Sequence, residues 1–448
     1  MSGYNGHSPN WREFQRELKK DRSRSAFRKK LPFLTVWICG IVLILSIMGY
    51  SGSWIFAQLS LNRVQAEKRA VVEEKRILQK IGRQDLPRLL DDLNIGSGPG
   101  ARNYTVTRNG SILSVETSLL PPLQNYLQDL LRQSLTVRAA AVVLRPTTGE
   151  VLAFSDYKNG GNGGERSLCL KADHPAASLF KIVTAAAAID ARGLTPDTSL
   201  VFRGGKYTLY RSQLKPEKRP SGSATSLTKA FSSSINPVFG RLGIYHLGSS
   251  LVTEYADRFF FNQPIPFDLS LEVSPMEAPT DDFALAEIAS GFNKRTFISP
   301  IHAAMLAGAV ANRGNMMGPR LVRRIADEHG NLVYSSEPVH LASPVSGETA
   351  RKMKVLMDET VVTGTARTAF NRFLRKSEFK DLELGAKTGS INDPSDQHRV
   401  DWVTAYAIPD SGEDEAICIS VLAVHGERLG IRAKDIARHV VENYFHGS

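Results

Sequence analysis

A serine followed three residues later by a lysine can carry acyl-transfer chemistry: the hydroxyl is the nucleophile, and a lysine in a crowded site can shed its proton and act as its base. Such pairs begin at Ser155, Ser178, Ser212, Ser226 and Ser377. About two are expected by chance in a chain of this length, so the spacing alone selects none of them. Only Ser178 and Lys181, in "ASLFK", are followed by a long apolar stretch of helical character. At a helix start the two share one face, and the backbone N–H of Ser178 is free for a developing negative charge. The competing reading is a serine that merely starts the helix and a lysine that snorkels to solvent; the pair by itself leaves both open.

The elements that must position this pair are mixed in type. "HPAASLFKIVTAAAAIDARG" reads as an Ala-rich, packed helix opening after Pro175 and stopped by Gly193. Upstream, "YTVTRNGSILSV" alternates apolar residues around Asn109-Gly110, a hairpin signal. Residues 119–135, "LLPPLQNYLQDLLRQSL", return to helical spacing, and "RAAAVVLRP" and "EVLAFSDY" read as two strands joined by "TTG". "NGGNGGERS" is a flexible loop. Helices and antiparallel strands in one domain give an α+β expectation.

The chain has 448 residues, 42% of them apolar, and a net charge of +11, enough for roughly two or three domains. Residues 1–30 carry nine Lys/Arg against Glu13, Glu17 and Asp21, so this tail holds six of the eleven charges. No zinc-finger spacing or RNA-stacking motif accompanies it, and no nucleic-acid partner is expected. From Lys30 to Arg63 no charge interrupts the sequence, and "FLTVWICGIVLILSIMGYSGSWIFA" suffices for a transmembrane anchor. The basic tail places the N-terminus in the cytoplasm and the bulk of the chain outside. "NRVQAEKRAVVEEKRILQKIG", with Val64, Val71 and Leu78 at heptad spacing, reads as a membrane-proximal spacer helix, and "IGSGPGARN" as a break. Cys39, Cys169 and Cys418 supply no disulfide framework, although Cys169 and Cys418 could pair outside the cell. The ten histidines show no HExxH spacing, so no metal and no cofactor is expected.

Two further motifs single out Ser178. Residues 234–236 read "SIN" and residues 387–390 read "KTGS". The first pattern is common, since Ser8, Ser60 and Ser390 also begin one, whereas Lys-Thr-Gly occurs once. With "SLFK" they reproduce, in order, the three active-site motifs of penicillin-binding proteins and serine β-lactamases. "AAVVLRPTTGEVLAF", "LTKAFSSSINPVFGRLGIYHLG", "ISPIHAAMLAGAVANRG", "VVTGTARTA" and "DWVTAYAIP" extend the likeness, so residues 137 to 446 resemble the transpeptidase domain of penicillin-binding proteins.

The resemblance implies a five-stranded antiparallel sheet flanked by helices with a helical subdomain, preceded by one transmembrane helix. The expected organisation is a basic cytoplasmic tail (1–30), an anchor (31–57), a membrane-proximal helix and linker (58–100), a hairpin and helix leading into the core (101–136), and the transpeptidase domain (137–448). It implies a peptidoglycan D,D-transpeptidase held in the bacterial cytoplasmic membrane by a single pass, with an extracytoplasmic catalytic domain. By analogy Ser178 is the nucleophile, Lys181 its base and Ser234 the proton relay. Asn236 binds the substrate peptide, Lys387 and Thr388 attract its terminal carboxylate, Gly389 lets it lie close, and the N–H groups of Ser178 and Ser390 form the oxyanion hole. Stem peptides and β-lactam antibiotics are the expected ligands. The 75 or so residues between anchor and core are short for a glycosyltransferase domain, so a separate glycan polymerase is the expected partner. Alternatives within the resemblance are a D,D-carboxypeptidase or a catalytically weak penicillin-binding scaffold or sensor. Two departures stand out: "PAAS" lacks the family's frequent glycine just ahead of the nucleophile, and "LEVSPMEAPTDD" does not resemble the glutamate motif with which class A β-lactamases activate water.

Overall fold

The structure, a computed structural model, describes residues 81–448 except 92, 94, 97–99, 109, 162–165, 217–221 and 447–448, together with residues 12, 15–16, 19, 36–46, 48–49 and 56–69. It divides into two compact units, Met1–Gln79 and Lys80–Ser448. In the first, residues 36–46, 48–49 and 56–69 are helical, and apolar side chains such as Val36, Trp37, Leu43 and Leu45 are exposed. Among the described residues no helix is long and apolar enough to cross a membrane. The span expected at 31–57 includes 31–35, 47 and 50–55, which lie outside the described residues, as do Val71 and Leu78 of the expected spacer helix.

The second unit begins with the expected hairpin, β1 (Asn103–Arg108) against β2 (Ser111–Thr117), with Gly110 in the left-handed conformation its turn requires. Asn109 itself lies outside the described residues. Next come the Pro121–Arg132 helix, then β3 (Arg138–Leu144) and β4 (Val151–Lys158), as read from the sequence. Smaller strands follow: β5 (Ser199–Phe202) with β6 (Ser223–Ser226), β7 (Met316–Met317) with β10 (His340–Ala342), and β8 (Val322–Ala326) and β9 (Leu332–Ser335), which extend the hairpin into a sheet ordered β1-β2-β8-β9. The chain ends with β11 (Glu383–Asn392), β12 (Arg399–Ile408), β13 (Ile417–His425) and the Ala433–His446 helix. The central sheet is five-stranded and antiparallel in the order β11-β12-β13-β3-β4.

That sheet is buried on both faces, which is why β3 and β13 read as continuous apolar runs. Side-chain alternation sends Ala139, Ala141 and Val143 with Ile417, Ile419 and Val421 to one face. There they join Leu123, Leu127 and Leu131 of the Pro121–Arg132 helix and Ile436 and Val440 of the C-terminal helix in one core cluster. The other face carries the Pro300–Ala311 helix, every residue of which is buried. Two hydroxyls within this face are satisfied by that helix: Thr404 Oγ1 donates to the Ala303 carbonyl at 2.7 Å, and Ser420 Oγ to that of Pro300 at 2.5 Å. Cys169 and Cys418 are buried free thiols. The outcome that matters for chemistry is that β11, carrying residues 387–390, is an edge strand.

Leu127 is fully buried in this cluster. Leu127→Ala should lower unfolding stability by about 2–5 kcal/mol, measured by denaturant unfolding.

Candidate active site

Residues Ala177–Phe180 form a 3₁₀ turn that runs directly into the Lys181–Arg192 helix, which ends at left-handed Gly193. The sequence reading placed Ser178 and Lys181 together in the first α-turn; instead Ser178 sits on the 3₁₀ turn and Lys181 is the first α-helical residue. With three residues per turn, positions i and i+3 eclipse, and Lys181 Nζ lies 2.8 Å from Ser178 Oγ. Ala177 adopts φ +50°, a region that costs a non-glycine residue on the order of 1–3 kcal/mol. A glycine just ahead of Ser178 would adopt this conformation freely, and here an alanine bears the strain.

Two glycines hold the turn in place. Gly291, at φ +64°, follows the Asp282–Ser290 helix, and a Cβ there would stand 1.9 Å from the Ala177 carbonyl oxygen. Gly389 of β11 lies against the same turn, where a Cβ would be 3.1 Å from Ala177 Cβ and 3.2 Å from Ser178 N. The strand end of the sheet is tied in as well, since Trp402 Nε1 on β12 donates to the Pro175 carbonyl at 2.9 Å.

Lys181 is fully buried and has no acidic partner among the described residues. Its amine reaches Ser178 Oγ, Asn236 Oδ1 at 2.8 Å and the carbonyl of Ser290. Burial first, and then the charge of Lys387, hold Lys181 well below the ordinary lysine range. Asn236 is itself fixed, its Nδ2 donating to the Tyr207 carbonyl at 3.1 Å. Ser234 has φ +54° and accepts from Lys387 Nζ at 3.1 Å. Lys387 also donates to the Thr388 carbonyl at 2.7 Å, and burial brings its amine down to about 7. The three motifs, separated by more than 200 residues along the chain, thus meet.

They meet on a cleft of about 870 Å³ that exposes Ser178, Ser234, Asn236, Thr388 and Ser390. Thr388 Oγ1 lies 2.5 Å from Thr365 Oγ1, in the "VVTGTARTA" segment. Ser390 Oγ donates to Asp401 Oδ1 at 2.8 Å. All eight residues selected from the sequence are therefore at or beside one cleft, while the other Ser-x-x-Lys serines do not line it. Ser226 does what the bland reading of such a serine says: it caps a helix, accepting from Lys229 N at 3.1 Å. Sequence reasoning missed Ser290, Thr365, Asp401 and Arg432. Ser290 and Thr365 carry no residue-type signal, the former acting through its backbone carbonyl. Glu287, which follows the "LEVSPMEAPTDD" stretch, also lines the cleft, and burial raises its carboxyl.

The family model described as the penicillin binding protein transpeptidase domain matches residues 139–442. Stage V sporulation protein D of Bacillus subtilis is 24% identical over 267 residues, 57% of this chain and 40% of that protein. Peptidoglycan D,D-transpeptidase PbpA of Mycobacterium tuberculosis is 25% identical over 373 residues, 75% of this chain and 73% of that one. Among solved structures, penicillin-binding protein A of M. tuberculosis, as a ceftriaxone acyl-enzyme complex, superposes with a TM-score of 0.60 at 24% identity, covering 73% of this chain and 79% of the other. The D,D-transpeptidase domain of a peptidoglycan glycosyltransferase from Eggerthella lenta gives 0.61 at 22% identity, covering 74% and 83%. These superpositions establish the fold.

Two outcomes follow from the packing. Gly291→Ala should displace the nucleophile turn and cut the rate of Ser178 acylation at least tenfold, with circular dichroism little changed. Lys387 binds a proton in the unfolded chain up to about 10.4 but releases it near 7 when folded, so stability falls as pH drops from about 10 to 7. Lys387→Met should raise stability at pH 7 by about 1–3 kcal/mol, and the gain should shrink towards pH 10 in thermal unfolding.

Proposed function

The chain belongs to the penicillin-binding protein transpeptidase family, and from that premise we propose that it is a serine peptidoglycan D,D-transpeptidase acting through a Ser178 acyl-enzyme. The observation that carries the reading is a buried lysine amine, with no acid beside it among the described residues, 2.8 Å from the hydroxyl of Ser178. In its neutral form that amine has a lone pair to accept the Ser178 proton as Oγ attacks the carbonyl of the penultimate D-Ala in a stem peptide.

The oxyanion is stabilised by the N–H groups of Ser178 and Ser390, each worth about 3 kcal/mol in comparable sites. Gly389 keeps the strand close enough for this. As the tetrahedral centre collapses, the C–N bond breaks and the departing D-Ala nitrogen takes a proton from Ser234, replenished from Lys387. Asn236 holds the substrate amide, and Thr388, with Lys387 behind it, attracts the terminal carboxylate. The amine of a neighbouring stem peptide then attacks the ester carbonyl and gives up its proton through Ser234 to Lys387, while the ester C–O bond breaks and Lys181 returns its proton to the departing Ser178 Oγ. A β-lactam enters the same first step, but its leaving nitrogen stays tethered, so the acyl-enzyme persists.

The uncharged segment 33–57 behind a basic tail supports a single membrane anchor with the N-terminus in the cytoplasm and the catalytic unit outside. There it cross-links glycan made by a separate polymerase.

Fluorescent penicillin should label the purified chain covalently. Ser178→Ala should abolish labelling, and Lys181→Ala should slow it by about 10²–10⁴-fold with the fold intact. A normal rate in the lysine variant contradicts the base assignment. Product analysis on synthetic stem peptides should show a cross-linked dimer rather than only the hydrolysed peptide.

A further inference from the structure

One short segment, Arg432-Ala433-Lys434, is linked to both hydroxyls of the third motif, to Ser390 through Asp401 and to Thr388 through Thr365. Arg432 Nε donates to Asp401 Oδ2 at 2.7 Å and its Nη2 to Asp401 Oδ1 at 2.9 Å. Asp401 also accepts from the Ala433 N–H at 3.0 Å and from Ser390 Oγ at 2.8 Å. Although burial opposes ionisation, the Arg432 guanidinium and these donors hold Asp401 well below the carboxylate range. His425 is part of this setting: Gly430 N donates to its Nδ1, which leaves Nε2 to carry the hydrogen, 3.8 Å from Asp401 Oδ2. Lys434 Nζ donates to the Thr365 carbonyl at 3.1 Å and to Thr368 Oγ1 at 2.6 Å, and Thr365 Oγ1 bonds Thr388. Both basic side chains line the cleft.

Two consequences are chemical. The Ser390 hydroxyl hydrogen is committed to Asp401, so it cannot at the same time be donated to a substrate carboxylate. Arg432 spends only Nε and Nη2 on Asp401, which leaves Nη1 without a protein partner among the described residues. Ser390 and Arg432 Nη2 bond the same carboxylate oxygen, so the guanidinium stands beside the third motif. Lys387, by contrast, is engaged with Ser234 and the Thr388 carbonyl, and with its amine brought to about 7 it is only partly charged at neutral pH.

We propose that Arg432, oriented by Asp401, is the specificity-determining cation of the cleft: it binds the carboxylate of the acyl donor together with Thr388, and so selects carboxylate-bearing substrates. The assignment rests on the acyl-transfer reading above. A permanently charged, planar donor fits a carboxylate whose charge must be recognised in a partly solvated cleft.

The test compares acylation of the purified full chain by benzylpenicillin and by its methyl ester, followed by intact-protein mass spectrometry, with binding and acylation steps separated by concentration dependence. Arg432→Gln should lower the second-order constant for the acid about 10–100-fold through a weaker first complex, leaving the acylation step and the ester's constant unchanged. Arg432→Lys should recover part of the loss. Asp401→Asn should weaken the same binding step, and combined with Arg432→Gln should add little. Equal slowing of acid and ester, a loss confined to the acylation step, or an unchanged constant for the acid would overturn the assignment. Such results leave Ser178 acylation intact; absence of any Ser178 adduct in the wild type would overturn both readings.

Discussion

The arrangement of the cleft turns on two buried lysines, Lys181 and Lys387, that have no carboxylate partner among the described residues. An amine removed from water in this way can relieve the cost by giving up its proton. Lys181 and Lys387 stand near enough for the charge of one to depress the other. Lys181 is surrounded by oxygens of Ser178, Asn236 and Ser290 rather than by an acid. These partners satisfy its hydrogens while supplying no full negative charge, so the amine is held in place without being pinned as an ammonium. A carboxylate at any of these positions would have produced a stable ion pair and a poor base.

Everything around the lysines serves that placement. The 3₁₀ turn sets Ser178 over Lys181, and the left-handed backbone of Ala177 is tolerated because Gly291 and Gly389 leave room on both sides. The helical side of the cleft contributes Ser234, Asn236 and Ser290, and the sheet contributes its edge strand β11. Trp402 bridges from the next strand to the loop ahead of the nucleophile. The sheet is covered on both faces, and its edge strand forms the wall against which the turn packs at Gly389.

Much of this was legible in the sequence, for identifiable reasons. The strands β3 and β4 and the hairpin at Gly110 were readable from period and turn chemistry. The three motifs were readable because their residue types are specific in combination, and Lys-Thr-Gly is rare. Other features left no mark. Ser290 acts through its carbonyl, which any residue possesses. Asp401 and Arg432 are common types 31 residues apart, brought together only by the pairing of β12 and the entry of the last helix. The close approach of the Ser178 turn to Gly291, more than a hundred residues away, is possible only because that residue has no Cβ, and it could not be read locally. The anchor is legible as a long apolar, uncharged run behind a basic cluster, and part of it lies outside the described residues.

The central claim is that Lys181 is uncharged at the pH where the protein works, and it can be observed without any reaction. With ¹³C-labelled lysine, the Cε resonance of Lys181, assigned by its loss in Lys181→Arg, can be followed through a pH titration of the folded protein. The account predicts a midpoint far below that of an exposed lysine, with the amine already neutral at physiological pH. A midpoint near the ordinary value of about 10.4 would contradict it.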